Sequence, residues 1–301
     1  MLPRLDAPTE IFLADLRAIG RRVERAQRAV ASGRRLNRVS DAPGEVRGLL
    51  QLRTELRQTE RIRANLGRVR TEVDAAEQAL QAAVKVMERA EVLGAQGANG
   101  TLSAAERRMI AVEVETLIEQ MAGLARSRIE GRYIFSGDAD NQPPYTLDLT
   151  LDDPFSGYQG TPATRLAQHP DGTAFAIAHS ADVIFDHPDP EKNALEAVNG
   201  LRLALRNDDI TAIQDALGRL DTAGTYLNEQ LAFYGAVQNE IAEAVDLAHR
   251  QELRLATRIS EIEDADLMAS ILDLDAAQHQ QEVALTVQAR MNPRSLFDYL
   301  A

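Results

Sequence analysis

A chain of 301 residues with only 4 % aromatic residues and no Trp is poorly supplied for a thick compact core, although 45 % of it is apolar. There is no Cys, which excludes disulfides, a thiol nucleophile and a Cys-based metal site. The net charge of −13 is unevenly spread: residues 1–70 carry 16 Arg and no Lys against 8 acids, a surplus of +8, and the other 231 residues carry −21.

The first predicted element is a helix over 10–30, with Ile11, Leu13, Leu16, Ile19, Val23, Ala26 and Val30 on one side. It stops at Ser32-Gly33, where Gly suits the left-handed conformation that follows a helix end. Residues 34–44 form a turn region, and Pro43 is placed to open the next helix. From Leu49 apolar or small residues recur in steps of three and four through Leu66, Val73, Leu80, Met87 and Ala90. The stripe is narrow and longer than an ordinary globular helix, which suggests a rod lying against other helices. The segment GAQGANG (94–100) is expected to break it, and Ser103 with Glu106 has the spacing of a capping box. A third helix is predicted over 104–130, with Met109, Val112, Leu117, Met121 and Leu124 facing inward.

The texture then changes. Residues 138–192 hold 7 of the 11 prolines and 10 acids against 2 bases, and 7 of the 13 aromatics lie between Tyr133 and Phe185. Alternation over 145–149 and 175–178 reads as short strands between turns, giving a compact β-rich insertion; an acidic loop is the alternative. Helical texture resumes near Asn193 and continues almost to the end, with a second seam through Leu217, Leu220, Gly224, Leu227, Leu231, Tyr234, Ile241 and Val245. Leu66, Val73, Leu80, Leu227, Leu231 and Ile241 are expected to share one core. Pro293 closes the last helix before a short apolar tail containing Leu296, Phe297, Tyr299 and Leu300.

Few residues invite chemistry. No HExxH, no Gly-rich phosphate loop after a strand and no GxSxG is present. Asp186-His187-Pro188-Asp189 could supply metal ligands, but turn formation by Asp and Pro explains it as well. Asp138, Asp140 and Asn141 faintly suggest a calcium loop without its Gly and closing Glu. The arginines of 1–70 lack interleaved aromatics, which argues against nucleic acid and favours contact with an acidic neighbour, or plain solvation. No stretch approaches eighteen apolar residues, and MLPRLDAPTE lacks the apolar core of a secretory signal, so neither a membrane span nor a cleaved leader is expected.

Several segments in fixed order carry a resemblance. VASGRRLNRVSDAP (30–43) resembles the N-terminal signature of the flagellin superfamily, and MERAEVLGAQGANGTLS (87–103) its helix end at an Ala-Asn-Gly-Thr turn. GRYIFSG (131–137) has the form typical of the hook–filament junction branch. Gly157-Tyr158-Gln159-Gly160 and 181–185 look like that branch's small β-domain, and 234–239, 262–266 and SLFDYL (295–300) complete the set. The chain departs from the family in its opening MLPRLDAPTEIF, in Ala42 where a second acid is common, and in the short insertion.

The resemblance and the periodicity point to one architecture. It is mainly α, an elongated antiparallel helical bundle or coiled-coil rod formed by both chain ends, with a small β-rich inserted domain. Terminal helices (1–45 and 265–301) would form an inner assembly layer, 46–137 and 191–264 the rod, and 138–190 the outer domain. The terminal strips have no partner of their own in this reading, so they would become ordered on assembly. The resemblance implies a structural adaptor, neither enzyme nor cofactor binder, exported by the flagellar type III route. Its implied partners are further copies in a ring, another hook-associated protein, flagellin and an export chaperone. Leu13, Leu16, Val23, Val30, Leu272, Val283, Leu296, Phe297, Tyr299 and Leu300 are the expected assembly interface. The alternatives are a short filament flagellin and, from another class, a soluble coiled-coil regulatory module.

Overall fold

The computed structural model describes residues 7–37 and 42–291. Its elements are α1 (Ala7–Ser32), α2 (Pro43–Gly97), α3 (Ala104–Ala125), β1 (Arg128–Ile129), β2 (Arg132–Tyr133), β3 (Leu166–Gln168), β4 (Ala174–Ala176), α4 (Ala181–Ile184), α5 (Ala194–Arg206), α6 (Ile210–Glu263) and α7 (Leu267–Met291). They form two compact units. The first takes the described residues of Met1–Gln58 and Gln251–Ala301, and the second is Thr59–Arg250. The residues of α2 and α6 are divided between the two.

The second unit is built on α2 and α6, which run antiparallel. Asp74 receives a hydrogen bond from Gln238 Nε2 (3.0 Å), Gly224 lies against Met87, and Gly94 lies against Leu217, so one number falls as the other rises. Leu66, Val73, Leu80, Leu227 and Ile241 are buried in a single core with Leu231 packed on it, as the two seams require. α3 and α5 pack on each other beside this pair.

The glycine-rich stretch does not interrupt α2 where the sequence suggests. The helix continues to Gly97 because Gly94 and Gly97 lie within it as points of close approach. A Cβ on Gly94 would meet Leu217 Cδ2 at 2.7 Å, and one on Gly97 would meet Leu205 Cδ2 at 2.3 Å. Beyond it the capping box forms as expected: Ser103 Oγ accepts from Glu106 N at 3.4 Å, and Glu106 Oε2 accepts from Ser103 N at 2.7 Å. The bond from Ser103 N, and then one from the Ser103 hydroxyl at 2.8 Å, hold the Glu106 carboxyl below its ordinary range.

Four expectations need correction. α3 ends at Ala125 rather than near 130, because Glu130 (φ 50°) and Gly131 (φ 83°) turn the chain into the β1–β2 hairpin. Met109 and Val112 point outward, 71 % and 62 % exposed, because the buried face follows Ala111, Val114, Ile118, Met121 and Ala125 at helical spacing. The alternating 145–149 run is not a strand; Leu147 makes one isolated bridge to Phe155, and the Asp148 side chain turns the backbone back by accepting from Thr150 N at 3.0 Å. The downstream helical texture is also cut twice, at Asn207–Asp209, where Asp208 has φ 61°, and at Asp264–Asp266.

The insertion is fixed from below by buried side chains. Phe135 meets Phe185 edge-on at 5.4 Å, and Tyr145 sits among Phe155 and Tyr158. The fully buried Arg202 of α5 donates to the carbonyls of Leu149 (3.2 Å), Leu151 (2.9 Å) and Asp152 (2.9 Å), tying the acidic loop to the helix. His179 stacks on Phe233 of α6, its Nδ1 2.7 Å from Gln230 Oε1.

Candidate assembly interface

The first unit is organised by a buried carboxylate. Gly33 (φ 68°) ends α1, and the chain beyond it crosses the end of α6: Arg35 N donates to Glu263 O (2.7 Å) and Ala265 N to Gly33 O (2.9 Å). This leaves the Glu263 side chain 5 % exposed, where it pairs with Arg34 Nε at 3.0 Å and with Arg53 of α2. A carboxylate this enclosed is tolerable only because two guanidinium groups share it, each with an exposed flank in water. Asp266 then starts α7 by accepting from Ala269 N at 3.0 Å.

α7 packs on α1, and Arg22 Nε donates to Asp273 Oδ1 at 2.7 Å across the pair. Each terminal helix therefore has a partner within the chain, contrary to the expectation that neither end has one. Val23 and Ala26 of α1 and Ala277 of α7 are buried there. The two helices differ in kind. The apolar residues of α1 lie on one side, whereas those of α7 are spread around its circumference. A helix with apolar residues on more than one face ordinarily packs against more than one neighbour. α1 covers only one side, so Leu267, Met268, Ile271, Leu272, Val283, Leu285 and Val287 remain exposed. That concentration is far above the singly scattered apolar residues of an ordinary surface.

The expected interface residues divide accordingly. Leu272 (64 %) and Val283 (49 %) lie on the uncovered surface of α7. Leu13, Leu16 and Val30 are half-buried on α1, and Val23 is buried within the unit, so it can act on a partner only through the packing of α1. Leu296, Phe297, Tyr299 and Leu300 lie outside the described residues. Leu267, Met268, Ile271, Leu285 and Val287 share that uncovered surface and were not among the expected residues; their signal in the sequence is apolar residues on several sides of one helix. Glu263 was likewise not expected as a hub, since an acid among other acids near a helix end looks solvated.

The groups singled out for chemistry are taken up by structure. His187 Nδ1 accepts from Asp189 N at 3.0 Å, and Asp186 accepts from Asn193 Nδ2 at 2.8 Å, so that motif makes a turn. Asp138 binds Thr164, which holds its carboxyl below the usual range. Asp171 is drawn down to about 2 by hydrogen bonds from Thr173 and then His169. Among the described residues no group of three or more His, Asp or Glu is placed to hold a metal, and no helix is long and apolar enough to cross a membrane. The GRYIFSG residues Ile134, Phe135 and Ser136 are buried, so they specify packing of the insertion rather than a surface.

Comparison with known proteins agrees with this arrangement. Residues 7–140 match the bacterial flagellin N-terminal helical region, and residues 217–300 match the bacterial flagellin C-terminal helical region. The 33 kDa flagellar filament core protein of Treponema phagedenis is 25 % identical over 281 residues, 92 % of each chain. Among solved structures, FlgL of Xanthomonas campestris superposes with a TM-score of 0.60 at 19 % identity, covering 69 % of this chain and 99 % of that one. Flagellar hook-associated protein 3 of Legionella pneumophila superposes with a TM-score of 0.62 at 14 % identity, covering 70 % of this chain and 98 % of that one. With both of its helical ends matched and their buried faces paired, the chain belongs to the bacterial flagellin family and is a structural component of the flagellum.

Proposed function

We propose that this chain is an adaptor at the hook–filament junction, where copies join in a ring between another hook-associated protein and the first flagellin subunits. The observation that carries the association is α7, whose apolar residues lie on several sides while α1 covers only one. Burial of that surface by neighbouring copies and by flagellin supplies the driving force, and no bond-making step is involved. Support for the junction, rather than the filament, comes from the GRYIFSG and SLFDYL segments and from the likeness in fold to hook-associated protein 3. Travel through the flagellar type III channel with an export chaperone belongs to this role. The full-length relatives named as filament core proteins favour a second reading, a short filament flagellin.

Deleting the gene distinguishes the two. The adaptor role predicts cells that keep hooks and release unassembled flagellin into the medium. Cells lacking this chain that still hold filaments of normal length refute that role. Purified chain that grows into long filaments by itself establishes the second reading.

A further inference from the structure

Within the first unit, α1 and the start of α7 enclose a cleft of about 560 Å³ rimmed by Arg22, Arg25, Arg28 and Arg35, with Asp266 and Asp273 opposite. Both acids are already engaged: Asp273 with Arg22, and Asp266 with the backbone N–H of Ala269. Arg35 is held by Glu45 and by the carbonyl of Ile262 at 2.8 Å. Arg25 and Arg28 are different. Each only returns a bond to its own helix, Arg25 Nε to Arg21 O at 3.3 Å and Arg28 Nε to Glu24 O at 3.1 Å. Neither has an acidic partner among the described residues, and Arg28 Nη1 is shut off from solvent with no acceptor. A guanidinium donor buried without an acceptor is costly, and native structures seldom leave one so. The site is short of a carboxylate.

We propose that the Arg25–Arg28 side of this cleft receives a carboxylate side chain from a second copy of the chain. The chain is self-complementary in charge: residues 1–70 carry +8 and the remainder −21, so a neighbouring copy offers acids in excess. The cleft also continues into the surface such a neighbour would cover, because Met268 and Leu272 flank the lining residues Ala269 and Asp273 on α7. Apolar burial on α7 then supplies affinity, and the paired guanidinium groups select the register of the incoming copy. This inference rests on the proposal that copies associate through α7.

Sedimentation equilibrium of the full chain, run across roughly 50 to 500 mM salt, tests it. Wild type is expected to associate and to weaken as salt rises. R25Q/R28Q should keep its helical circular dichroism but lose about tenfold or more in association constant, together with most of the salt dependence. R25K/R28K, which keeps the charge without the planar fork, should recover part of the loss and serves if the glutamine variant does not fold. Association and salt dependence unchanged in R25Q/R28Q, while L272D associates more weakly, overturns the carboxylate site and leaves the α7 interface standing. Association unchanged in both variants, or a wild-type chain that stays monomeric at every concentration, overturns the α7 interface and this inference with it. Calorimetric binding of inorganic phosphate to the monomer, lost in R25Q/R28Q without any change in association, makes the cleft a free-anion site and also overturns the proposal.

Discussion

Replacing Arg202 with Met removes the side chain that makes most of the ties between the 149–152 loop and α5 while keeping most of its apolar stem. The guanidinium is fully buried and spends Nη1 and Nη2 on three backbone carbonyls and Nε on Asn199 Oδ1 at 3.0 Å. Burial lowers its pKa, but Glu115 lies 3.9 Å away and the group remains a cation at neutral pH. Hydrogen bonds from a charged donor contribute about 1.5–3 kcal/mol each, which would overstate the loss if all four were added. Two effects reduce it: the cost of burying the cation disappears with it, and a loop released from α5 can turn its carbonyls to water. Asn199 Nδ2 also keeps one tie, to Asp152 O at 2.9 Å. The expected net destabilisation is about 3 kcal/mol, with Arg202→Lys losing less because one ammonium can reach only part of the set. Urea denaturation measures the loss, and limited proteolysis should show new cleavage within 149–153. A change below about 1 kcal/mol with an unaltered cleavage pattern would show that water already satisfies these carbonyls.

Leu80→Ala, at a fully buried site between α2 and α6, should cost about 2–5 kcal/mol in the same denaturation experiment, whereas Met109→Ala should be near neutral. Gly137→Ala should be far more damaging than Gly131→Ala, although both have positive φ, because a Cβ at 137 would sit 1.7 Å from Thr161 O and one at 131 meets nothing; comparable melting temperatures would refute this. Burial first, then Asp153, Asp182 and Glu196, raise the Asp186 pKa, so the folded protein binds a proton more readily there than the unfolded chain does. Stability is therefore lost as pH rises from the ordinary aspartate range through the raised folded value. Asp186→Asn should stabilise at pH 7 and the gain should vanish below pH ~3.9; equal stability at both pH values contradicts the burial argument. Removing residues 292–301, with Leu296, Phe297, Tyr299 and Leu300, should leave the urea transition of Thr59–Arg250 unchanged and abolish filament attachment, and normal motility would refute it.

The long seams were legible because α2 and α6 bury one stripe each at steps of three and four, and that spacing places Leu80, Leu227 and Ile241 in one core. Capping was legible for the same local reason: Ser103, Gly33 and Pro43 act on neighbours a few residues away. What escaped depends on contacts far apart in sequence. Met109 and Val112 suit an inward face as well as Ala111 and Val114 do, and only the position of α5 decides the rotation of α3. Gly94 and Gly97 look like breakers until Leu217 and Leu205 are seen pressing on them. Arg202, Glu263 and the buried Arg107, whose Nε donates to Gly97 O at 2.8 Å, are charged residues that composition assigns to water, and each is held by a partner at least eight residues away. The candidate interface was half visible: α1 announces itself by a one-sided pattern, while α7 has no single stripe to find.

The pairing of α1 with α7 joins positions such as Arg22 and Asp273, 251 residues apart, and so closes a very large loop. The second unit can form without it, since Asp74 and Gln238 already meet inside that unit. Once they do, the chain still to be closed between Arg22 and Asp273 falls to fewer than about a hundred residues, a saving of about 1 kcal/mol in closure entropy. The expected order of folding is Thr59–Arg250 first and the terminal pair last. Pairing of α7 with α1 is then expected to come late, on chains whose middle is already in place.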